Sequence, residues 1–528
     1  MLLLKGVGYT HPNGSGLLSG LDLHLLKHDK LAIVGNNGTG KSTLLRIIAG
    51  LLKPSTGTIR CDGKVYYMQQ VTGDFGSATI AEVLRIDKKV NGLQAVLAGD
   101  VSEANLLATG DDWSIIERCE EAFARWQLRG IHLSTPMRQL SGGERTKVLL
   151  AGIRIHEAGL VLLDEPSNHL DTVARGILRD YVNDTRDTLL LVSHDRSLLN
   201  LVDHVAELSR DGLAMYGGNF DFYREQKKRE EQTLQQQLQH QEKMLRQAKQ
   251  KARESIERQQ KLDARGKKKQ EKSGLPTISM NTFRNNAEKS TARTKAVHED
   301  KTAGLAGELQ ALREQLPASE QMKIGFDNSV QHKGKLLVTA SRINVHYDGH
   351  PLWPEDLDIE LRNGERVQVT GSNGSGKSTL ARLLTGKMDP SSGSVSRNEF
   401  NYLYVDQDYS LLDPSLTVYA QAAAFNPGNL QDHEIRSRLN RFLFTAGTWD
   451  TPVASLSGGE RMRLLLCSLS ISQFAPDLLV LDEPTNNLDL INVEILTRAV
   501  NEYRGSLLLI THDSLFAEET GITRGIRL

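Results

Sequence analysis

Runs of four consecutive apolar residues recur along this chain and give the first indication of its fold. Leu31–Val34, Leu160–Leu163 and Leu478–Leu481 are the clearest of these runs. Continuous apolar runs of this length are typical of strands that are buried on both faces of a parallel sheet. A membrane-spanning helix needs about 20 apolar residues. The pattern therefore predicts an α/β fold with no membrane insertion.

The apolar pattern changes between roughly Asn219 and Lys333, where the sequence is rich in Gln, Lys, Arg and Glu and poor in aromatic residues. Phe222 to Lys272 contains no proline and predicts one helix of about 50 residues, about 75 Å long at 1.5 Å per residue. Gly274 and Pro276 interrupt it, and a weaker helical stretch follows from about Asn281 to Leu316. Two helices with a break between them predict a helical hairpin. Apolar positions are sparse along its first arm, which predicts a weak coiled coil or a helix that needs a partner.

The sequences on either side of this segment are two copies of one unit. Four motifs recur in the same order: GNNGTGKST at Gly35–Thr43 and GSNGSGKST at Gly371–Thr379, LSGGE at Leu140–Glu144 and Leu456–Glu460, LLDEPSNHLD at Leu162–Asp171 and VLDEPTNNLD at Val480–Asp489, and SHD at Ser193–Asp195 and THD at Thr511–Asp513. The repeat predicts three domains, at 1–218, 219–334 and 335–528. The first copy is 21 residues longer between Gln70 and Ser141 than the second between Gln407 and Ser457.

Overall charge indicates no partner, because 64 Lys and Arg residues nearly balance 65 Asp and Glu residues. The length of 528 residues suits two or three domains. Cys61, Cys119 and Cys467 lack metal-type spacing and are typical of reduced thiols. The N-terminus has no basic segment followed by an apolar one, so no signal peptide is predicted. We expect a cytoplasmic protein.

Gly35–Thr43 matches the pattern G-x-x-x-x-G-K-[ST] and lies between an apolar strand and an apolar helix. Glycines let backbone N–H groups turn toward phosphates, and the start of the helix adds a favourable dipole. Lys41 would contact the β- and γ-phosphates and Ser42 would ligate Mg²⁺. Lys377 and Ser378 have the same roles in the second copy. A chance glycine-rich loop is a poor alternative, because the context is the same in both copies.

An Asp-Glu pair follows the apolar strand of each copy, as Asp164 with Glu165 and as Asp482 with Glu483. An aspartate at a strand end can hold Mg²⁺, directly or through water. The glutamate that follows can polarise or deprotonate an attacking water. Such a pair is often a solvated loop, but here it follows a phosphate-binding loop in both copies.

LSGGE alone is a weak signal, although its serine and glycines can form a helix start that faces an anion. Together with the other motifs it resembles the signature of the ATP-binding cassette (ABC) superfamily. That resemblance implies that the signature of one cassette covers the nucleotide held by the other. One site would join Lys41, Glu165 and Ser457. The other would join Lys377, Glu483 and Ser141, so a monomer would contain an intramolecular pair of cassettes.

The resemblance also implies roles for residues outside these motifs. Gln70 and Gln407 would be the glutamines that contact Mg²⁺ and the attacking water, with Gln69 as an alternative to Gln70. His194 and His512 would contact the γ-phosphate. Two tyrosines, one near the start of each cassette, could stack on adenine or simply pack at a strand end.

The expected ligands are ATP and Mg²⁺, held by the following residues. Nucleotide binding is expected from Tyr9, Gly35, Asn36, Asn37, Gly38, Thr39, Gly40, Lys41, Ser42, Thr43, Ser141, Gly142, Gly143, Tyr347, Gly371, Ser372, Asn373, Gly374, Ser375, Gly376, Lys377, Ser378, Thr379, Ser457, Gly458 and Gly459; Mg²⁺ ligation from Ser42, Gln70, Asp164, Ser378, Gln407 and Asp482; and catalysis of ATP hydrolysis from Gln70, Glu165, His194, Gln407, Glu483 and His512.

Two cassettes, no membrane span and a charged helical linker resemble the ABC-F family. SNHLD at Ser167–Asp171 and GGNFDFYREQKKREE at Gly217–Glu231 support this resemblance, whereas Asn487 stands where that family usually has His. Membership implies binding to the ribosome, with the linker 219–334 near rRNA and tRNA, as a housekeeping translation factor or an antibiotic-resistance factor. It also implies that the longer segment after Gln70 is where some members carry an arm toward the ribosomal stalk.

The local charge of the linker agrees with such a partner. Tyr223–Gly274 holds 16 Lys and Arg against 8 Asp and Glu. An excess of positive charge suits a phosphate backbone and would make binding sensitive to salt. A solvated helix with internal charge pairs is the alternative reading.

Two other functions are compatible with tandem cassettes. The chain could be the ATPase subunit of a transporter that docks on separate membrane proteins, although a simple fusion would need only a short tether. It could also be a DNA-associated ATPase, but the C-terminal basic coiled coil that such relatives use is not seen in the 16 residues after His512.

Overall fold

The computed structural model describes residues 1–71, 75–209, 212–270, 292, 296–297, 299–313, 334–428, 430–472, 476–486 and 488–528. It divides into two compact units, Met1–Tyr223 with Met322–Leu528, and Arg224–Gln321. Both copies of the repeated sequence, called here cassette one and cassette two, lie in the first unit. None of the helices found in the described ranges has the length and apolar character needed to cross a membrane.

Cassette one alternates strands and helices. Its strands are β1 (Leu2–Thr10), β2 (Gly16–Leu25), β3 (Lys30–Val34), β4 (Thr56–Cys61), β5 (Val65–Met68), β6 (Leu160–Asp164), β7 (Thr188–Val192), β8 (His204–Ser209) and β9 (Gly212–Tyr216). Its helices are α1 (Lys41–Ile48), α2 (Ile80–Val83), α3 (Asp87–Leu97), α4 (Glu103–Thr109), α5 (Ile115–Arg125), α6 (Gly142–His156), α7 (Thr172–Asp184) and α8 (Arg196–Leu199), with a 3₁₀ turn at Met137–Gln139.

The main sheet of cassette one has the order β5-β6-β7-β3-β8-β9 over the described residues. All its neighbouring strands are parallel except β8 and β9. Asp164 at the end of β6 pairs with Val192 at the end of β7, so these carboxyl ends lie at one edge. That edge is where the loop between β3 and α1 begins. A second, antiparallel sheet has the order β2-β1-β4.

Cassette two repeats this arrangement. Its strands are β10 (Leu336–Asn344), β11 (His346–Tyr347), β12 (His350–Pro351), β13 (Leu357–Arg362), β14 (Arg366–Thr370), β15 (Ser392–Arg397), β16 (Tyr402–Val405), β17 (Leu478–Asp482), β18 (Ser506–Ile510) and β19 (Arg524–Arg527). Its helices are α10 (Lys377–Thr385), α11 (Val418–Ala424), α12 (Asp432–Arg441), α13 (Gly458–Ser472), α14 (Leu490–Glu502) and α15 (Ser514–Glu519), with 3₁₀ turns at Ala446–Thr448 and Val453–Ser455. In the described ranges the parallel sheet has the order β16-β17-β18-β14-β19.

The apolar runs that indicated strands are the most buried part of each cassette. All five residues of β6 and all five of β17 are buried. The prediction of an α/β fold with parallel strands is therefore confirmed. The cassettes also contact each other: Leu490 of cassette two packs against the apolar core of cassette one. Arg196 Nη1 and Glu519 Oε2, on opposite cassettes, lie 2.6 Å apart.

The longer segment of cassette one contains the helices α3 and α4. Gly92 of α3 lies against α4, since a Cβ at Gly92 would be 2.9 Å from the carbonyl oxygen of Asn105. Several large apolar side chains here are exposed, among them Leu97 at 73% and Leu107 at 74%. A role as an arm toward a partner stays a prediction.

The second unit is helical. The long helix predicted after Phe222 is confirmed as α9 (Phe220–Gln270), which has 51 residues. Residues 299–313 form a second helical segment. Arg313 Nη2 lies 2.7 Å from Glu242 Oε1, and Leu238 and Leu309 are both buried. The predicted break at Gly274 and Pro276, the stretch 281–291 and residues 314–316 lie outside the described residues, as does Asn487.

Close strand packing makes Gly57 sensitive to substitution. Gly57 has φ +82°, and a Cβ there would be 2.4 Å from the carbonyl oxygen of Gly6. We expect Gly57→Ala to lower the free energy of unfolding by about 2–4 kcal/mol, from backbone strain together with overpacking. Gly63 is the matched control, because its φ is +98° and nothing lies within 4 Å of an added Cβ. Gly63→Ala should cost only the strain, about 1 kcal/mol. Urea denaturation compares the two variants, and equal losses would contradict the close contact.

Candidate functional site

Each Gly-Lys-Ser loop connects a central parallel strand to the first helix after it. The residues before these helices, Gly40 and Gly376, have φ values of +98° and +89°, which glycine adopts without strain. Lys41 Nζ donates to the carbonyl oxygens of Gly35 at 2.7 Å and Asn36 at 3.0 Å. Lys377 makes the same two contacts with the carbonyls of Gly371 and Ser372 at 3.0 Å. The loop therefore curls around each lysine, with its helix start facing the same space.

The aspartate of each Asp-Glu pair lies beside this loop. Ser42 Oγ donates to Asp164 Oδ1 at 3.1 Å, and the hydroxyl of Tyr67 donates to Asp164 Oδ2 at 3.1 Å. Burial raises the pKa of Asp164, and these two hydrogen bonds oppose the rise. In cassette two the hydroxyl of Tyr404 donates to Asp482 Oδ2 at 2.7 Å. Sequence reasoning missed both tyrosines, although each stands three residues before the glutamine of its cassette.

The glutamate of cassette one has an unusual backbone conformation and a histidine neighbour. Glu165 has φ +51°, and its N–H donates to the carbonyl oxygen of Val192 at 2.8 Å. Its Oε1 lies 3.2 Å from Nε2 of His194. Burial raises the pKa of Glu165 to about 8, and burial lowers the pKa of His194 to about 3. The histidine is therefore neutral, and Glu165 beside it gains or loses its proton at a pH close to neutral.

The glutamate of cassette two repeats this geometry. Glu483 has φ +49°, its N–H donates to Ile510 O at 2.8 Å, and its Oε1 lies 3.3 Å from His512 Nε2. Burial raises the pKa of Glu483 to about 7, opposed first by the charge of Arg175 and then by Lys377. Burial lowers the pKa of His512 to about 4. A strained left-handed residue that recurs in both copies is typical of a functional site.

A cavity of about 770 Å³ brings most of these groups of cassette one together. Its wall also contains groups from cassette two, namely Gln407, Asp408 and Ser457. Ser457 is at the start of α13, where its hydroxyl accepts the N–H of Glu460 at 3.4 Å. The lining residues are His11, Leu17, Asn37, Gly38, Gly40, Lys41, Ser42, Thr43, Gln70, Val71, Asp164, Glu165, Asn168, His169, Val192, His194, Gln407, Asp408 and Ser457.

The opposite pairing of loops is also present. Gly143, in the LSGGE motif of cassette one, lies beside Asn373 of the second phosphate loop, since a Cβ at Gly143 would be 3.2 Å from Asn373 Nδ2. Asn373 Nδ2 donates to the carbonyl oxygen of His169 at 3.0 Å. The hydroxyl of Thr172 is hydrogen-bonded to His512 Nδ1 at 3.0 Å. Cassette one therefore contacts the phosphate loop and the histidine of cassette two.

The aspartate that ends each long motif acts electrostatically on the phosphate-loop lysine of the other cassette. Asp489 Oδ2 accepts the backbone N–H of Asn37 at 3.1 Å. Burial lowers the pKa of Lys41, while Glu165, Asp489 and Asp164 oppose the fall. Burial also lowers the pKa of Lys377, while Glu483, Asp482 and Asp171 oppose it. Sequence reasoning assigned these two terminal aspartates no role, although Leu-Asp ends the motif in both copies.

Several predicted site residues lie elsewhere than expected. The first cavity is lined by His11 and Leu17 and not by Tyr9, whose ring meets that of His11 edge-on at 5.5 Å. Tyr347 is 52% exposed on the short strand β11. Gln407, assigned to the second site, also lines the first cavity. Stacking of either tyrosine on adenine stays a prediction, whereas Gln70, and not Gln69, lines the cavity.

Comparison with known proteins identifies the architecture. The sequence model of the ABC transporter family matches residues 18–168 and 354–486. YfmM of Bacillus subtilis, an uncharacterized ABC transporter ATP-binding protein, is 30% identical to this chain over 98% of it and 96% of that protein. ATP-binding protein Uup of Haemophilus influenzae is 28% identical over 97% of the chain and 76% of Uup.

A third relative carries a functional name. The energy-dependent translational throttle protein EttA of Escherichia coli is 28% identical over 97% of the chain and 89% of EttA. Among solved structures, the archaeal ribosome recycling factor aABCE1, crystallised in complex with stalk protein aP1, has the same fold. That likeness has a TM-score of 0.60 at 19% identity, over 99% of this chain and 87% of the other.

Two nucleotide-binding cassettes in one chain, joined by a long helix, define the class of protein. The chain belongs to the ABC transporter family, as a tandem ATP-binding cassette protein of the ABC-F group to which Uup and EttA also belong. The resemblance stated from its motifs is thereby confirmed.

Proposed function

We propose that this protein hydrolyses ATP at two composite sites, each built from both cassettes, and that it acts on the ribosome. The observation that carries the first part is the wall of the 770 Å³ cavity, which contains Lys41 and Glu165 of cassette one and Ser457 of cassette two. A γ-phosphate between these groups would be enclosed only when the two cassettes are together.

The roles of the residues follow from their chemistry. In the first site Lys41 neutralises the β- and γ-phosphates, and backbone N–H groups at the start of α1 and of α13 face the anion. Glu165 accepts a proton from the attacking water, and neutral His194 donates through Nε2 to the γ-phosphate or to Glu165. Lys377, Glu483, His512 and Ser141 have these roles in the second site.

The oxygen donors of the first site suit a magnesium ion, which prefers hard oxygen ligands. Ser42 Oγ and Asp164 Oδ1 lie 3.1 Å apart, and Gln70 lines the same cavity. Mg²⁺ bound to ATP would neutralise charge that develops on the phosphates. Ser378, Asp482 and Gln407 are the candidate ligands of the second site.

The ribosomal role is supported by sequence similarity to EttA and by the positive charge of the linker. EttA, similar over 97% of this chain, is named a translational throttle protein. The segment 223–274 has twice as many basic as acidic residues, 16 against 8. A long basic helix suits the phosphate backbone of rRNA or tRNA. We infer that ATP binding favours attachment and that hydrolysis favours release, whether the protein is a translation factor or protects ribosomes from a drug.

Sedimentation with ribosomes tests this role. The double variant Glu165→Gln, Glu483→Gln is expected to bind ATP without hydrolysing it, and so to pellet with ribosomes through a sucrose cushion when ATP is present. The same variant with Lys41→Met and Lys377→Met added is the control, since it lacks the phosphate contacts. Raising salt should release the bound protein steeply. A double variant that stays in the supernatant with ATP would overturn the ribosomal role and leave ATP hydrolysis intact.

The same fractionation examines the alternative functions. A transporter ATPase subunit would sediment with membranes, and a DNA-associated ATPase would be released by nuclease digestion of DNA. Either result would replace the ribosomal proposal.

A further inference from the structure

The two cassettes differ at the helix that follows each Leu-Asp pair. Asp171 caps α7 by accepting the N–H of Ala174 at 2.8 Å, and Asp489 caps α14 by accepting the N–H of Asn492 at 2.9 Å. These equivalent caps align the first turns of the two helices residue by residue. Thr172 therefore corresponds to Leu490, and Arg175 corresponds to Val493. Two polar positions of cassette one are apolar in cassette two.

The first of these positions reaches the histidine of the other cassette in one direction only. Thr172 Oγ1 and His512 Nδ1 are hydrogen-bonded at 3.0 Å. The corresponding Leu490 packs against the apolar core of cassette one and has no group that can hydrogen-bond to His194. Nδ1 of His194 is buried and has no hydrogen-bond partner within the described ranges. In the part of the chain that the structure describes, only the second site therefore has its histidine hydrogen-bonded by the opposite cassette.

The second position places a positive charge at the interface between the cassettes. The Arg175 side chain is mostly buried and donates through Nε to the carbonyl oxygen of Leu170 at 3.2 Å. It lines a small cavity whose wall contains Glu165 and His194 of the first site as well as Asp513 of cassette two. Arg175 is also the first of the charges that oppose the burial of Glu483. At the corresponding position, Val493 is buried and uncharged.

We infer that Thr172 is a positioning residue for the second site, acting through His512, and that this asymmetry makes the two sites unequal in hydrolysis. The inference rests on the proposed ATP hydrolysis and deepens it. According to this inference, cassette one affects hydrolysis at the second site through Thr172. Cassette two has no such effect on the first site through the equivalent residue, Leu490.

The hydrogen bond has a chemical consequence. When the hydroxyl of Thr172 donates to Nδ1 of His512, the ring proton stays on Nε2. Nε2 lies 3.3 Å from Glu483 Oε1 and has no hydrogen-bond partner within the described residues, so it is available to donate to the γ-phosphate. His194 lacks such a bond, so both its tautomer and its ring orientation are less restricted. A histidine N–H that is already oriented before the reaction needs less reorganisation in the transition state, so the activation free energy is lower.

A purely structural role for Thr172 would have a different signature. Arg175 Nη1 also lies 3.7 Å from Asp195 Oδ2 of its own cassette, and its Nε holds the carbonyl of Leu170. If Thr172, three residues before Arg175 on the same helix, only supported cassette one, its loss would weaken the first site at least as much as the second. The two sites must therefore be measured separately.

Single-site proteins allow this separation. Glu165→Gln leaves the second site active, and Glu483→Gln leaves the first site active. In the Glu165→Gln protein we expect Thr172→Val to lower kcat about threefold to tenfold, as for loss of one hydrogen bond, with KM for ATP within about twofold. In the Glu483→Gln protein the same change should lower kcat less than about twofold.

A conservative variant and a binding readout complete the test. Thr172→Ser keeps the hydroxyl, so it should restore most of the lost kcat, whereas Val173→Ala, at an exposed neighbour, should change nothing. Dissociation of labelled ATP should be unaltered by Thr172→Val, since only the chemical step is affected. Equal losses in both single-site proteins, or no loss in either, would overturn the inference. Absence of hydrolysis in both single-site proteins before any change at Thr172 would instead refute the proposed ATPase function.

Discussion

Replacing Glu165 and Glu483 together by glutamine is expected to lower ATP turnover by about a thousandfold and to leave ATP binding intact. A carboxamide has nearly the size of a carboxylate but cannot accept a proton from water. The histidines beside these glutamates, at 3.2 Å and 3.3 Å, are weak bases, because burial lowers their pKa values to about 3 and about 4. Phosphate release at saturating ATP measures turnover, and equilibrium dialysis with labelled ATP measures binding.

The single variants and a distant carboxylate are the controls for this prediction. Glu165→Gln and Glu483→Gln alone should each retain measurable hydrolysis from the remaining site. Glu157→Gln, at a side chain that is 58% exposed, should leave turnover unchanged. A double variant that keeps more than about a tenth of the activity would contradict the assignment of these residues as general bases.

The second large effect is expected when the serine of either LSGGE motif is replaced. Each replacement should lower hydrolysis at the site whose phosphate loop belongs to the other cassette. Ser457 lines the cavity that contains Lys41 and Glu165. In a protein with only the first site active, Ser457→Ala should lower kcat about 10- to 100-fold, because a donor to the γ-phosphate is lost. Ser141→Ala should have little effect there. In a protein with only the second site active, Ser141→Ala should lower kcat and Ser457→Ala should have little effect.

The two serines are matched controls for each other. Each also accepts the N–H of a glutamate in its own helix, Ser141 from Glu144 at 3.3 Å and Ser457 from Glu460 at 3.4 Å. Loss of such a cap costs about 1 kcal/mol of stability in either helix, so instability alone would affect both variants equally. If each serine acted on the nucleotide of its own cassette, the composite arrangement of the sites would be refuted.

Motifs read from the sequence located the residues of each half-site because the relevant signals are local. A glycine-rich loop between an apolar strand and a helix can form only a narrow range of structures, so the surroundings of Lys41 and Lys377 follow from a few neighbouring residues. The parallel strands followed from short apolar runs such as Leu160–Leu163, which need burial on both faces. The long helix followed from the absence of proline over 222–272.

Contacts that depend on distant parts of the chain were not predictable in this way. Tyr67 and Tyr404 looked like ordinary residues of aromatic strands, and only the pairing of parallel strands brings their hydroxyls to Asp164 and Asp482. His11, just after β1, lines the cavity, and Tyr9 does not. No local signal in the sequence distinguishes these two neighbouring rings.

The sequence by itself determined two α/β cassettes, their phosphate loops, their acidic pairs and the long helix between them, because each depends on residues close together in the chain. Only the tertiary structure decided which groups of one cassette contact the other. Thr172 and Leu490 occupy equivalent positions, yet one is bonded to a histidine of the other cassette and the other is packed in apolar surroundings. That difference arises from contacts between residues more than 300 positions apart, where the packing of two folded surfaces sets which atoms meet.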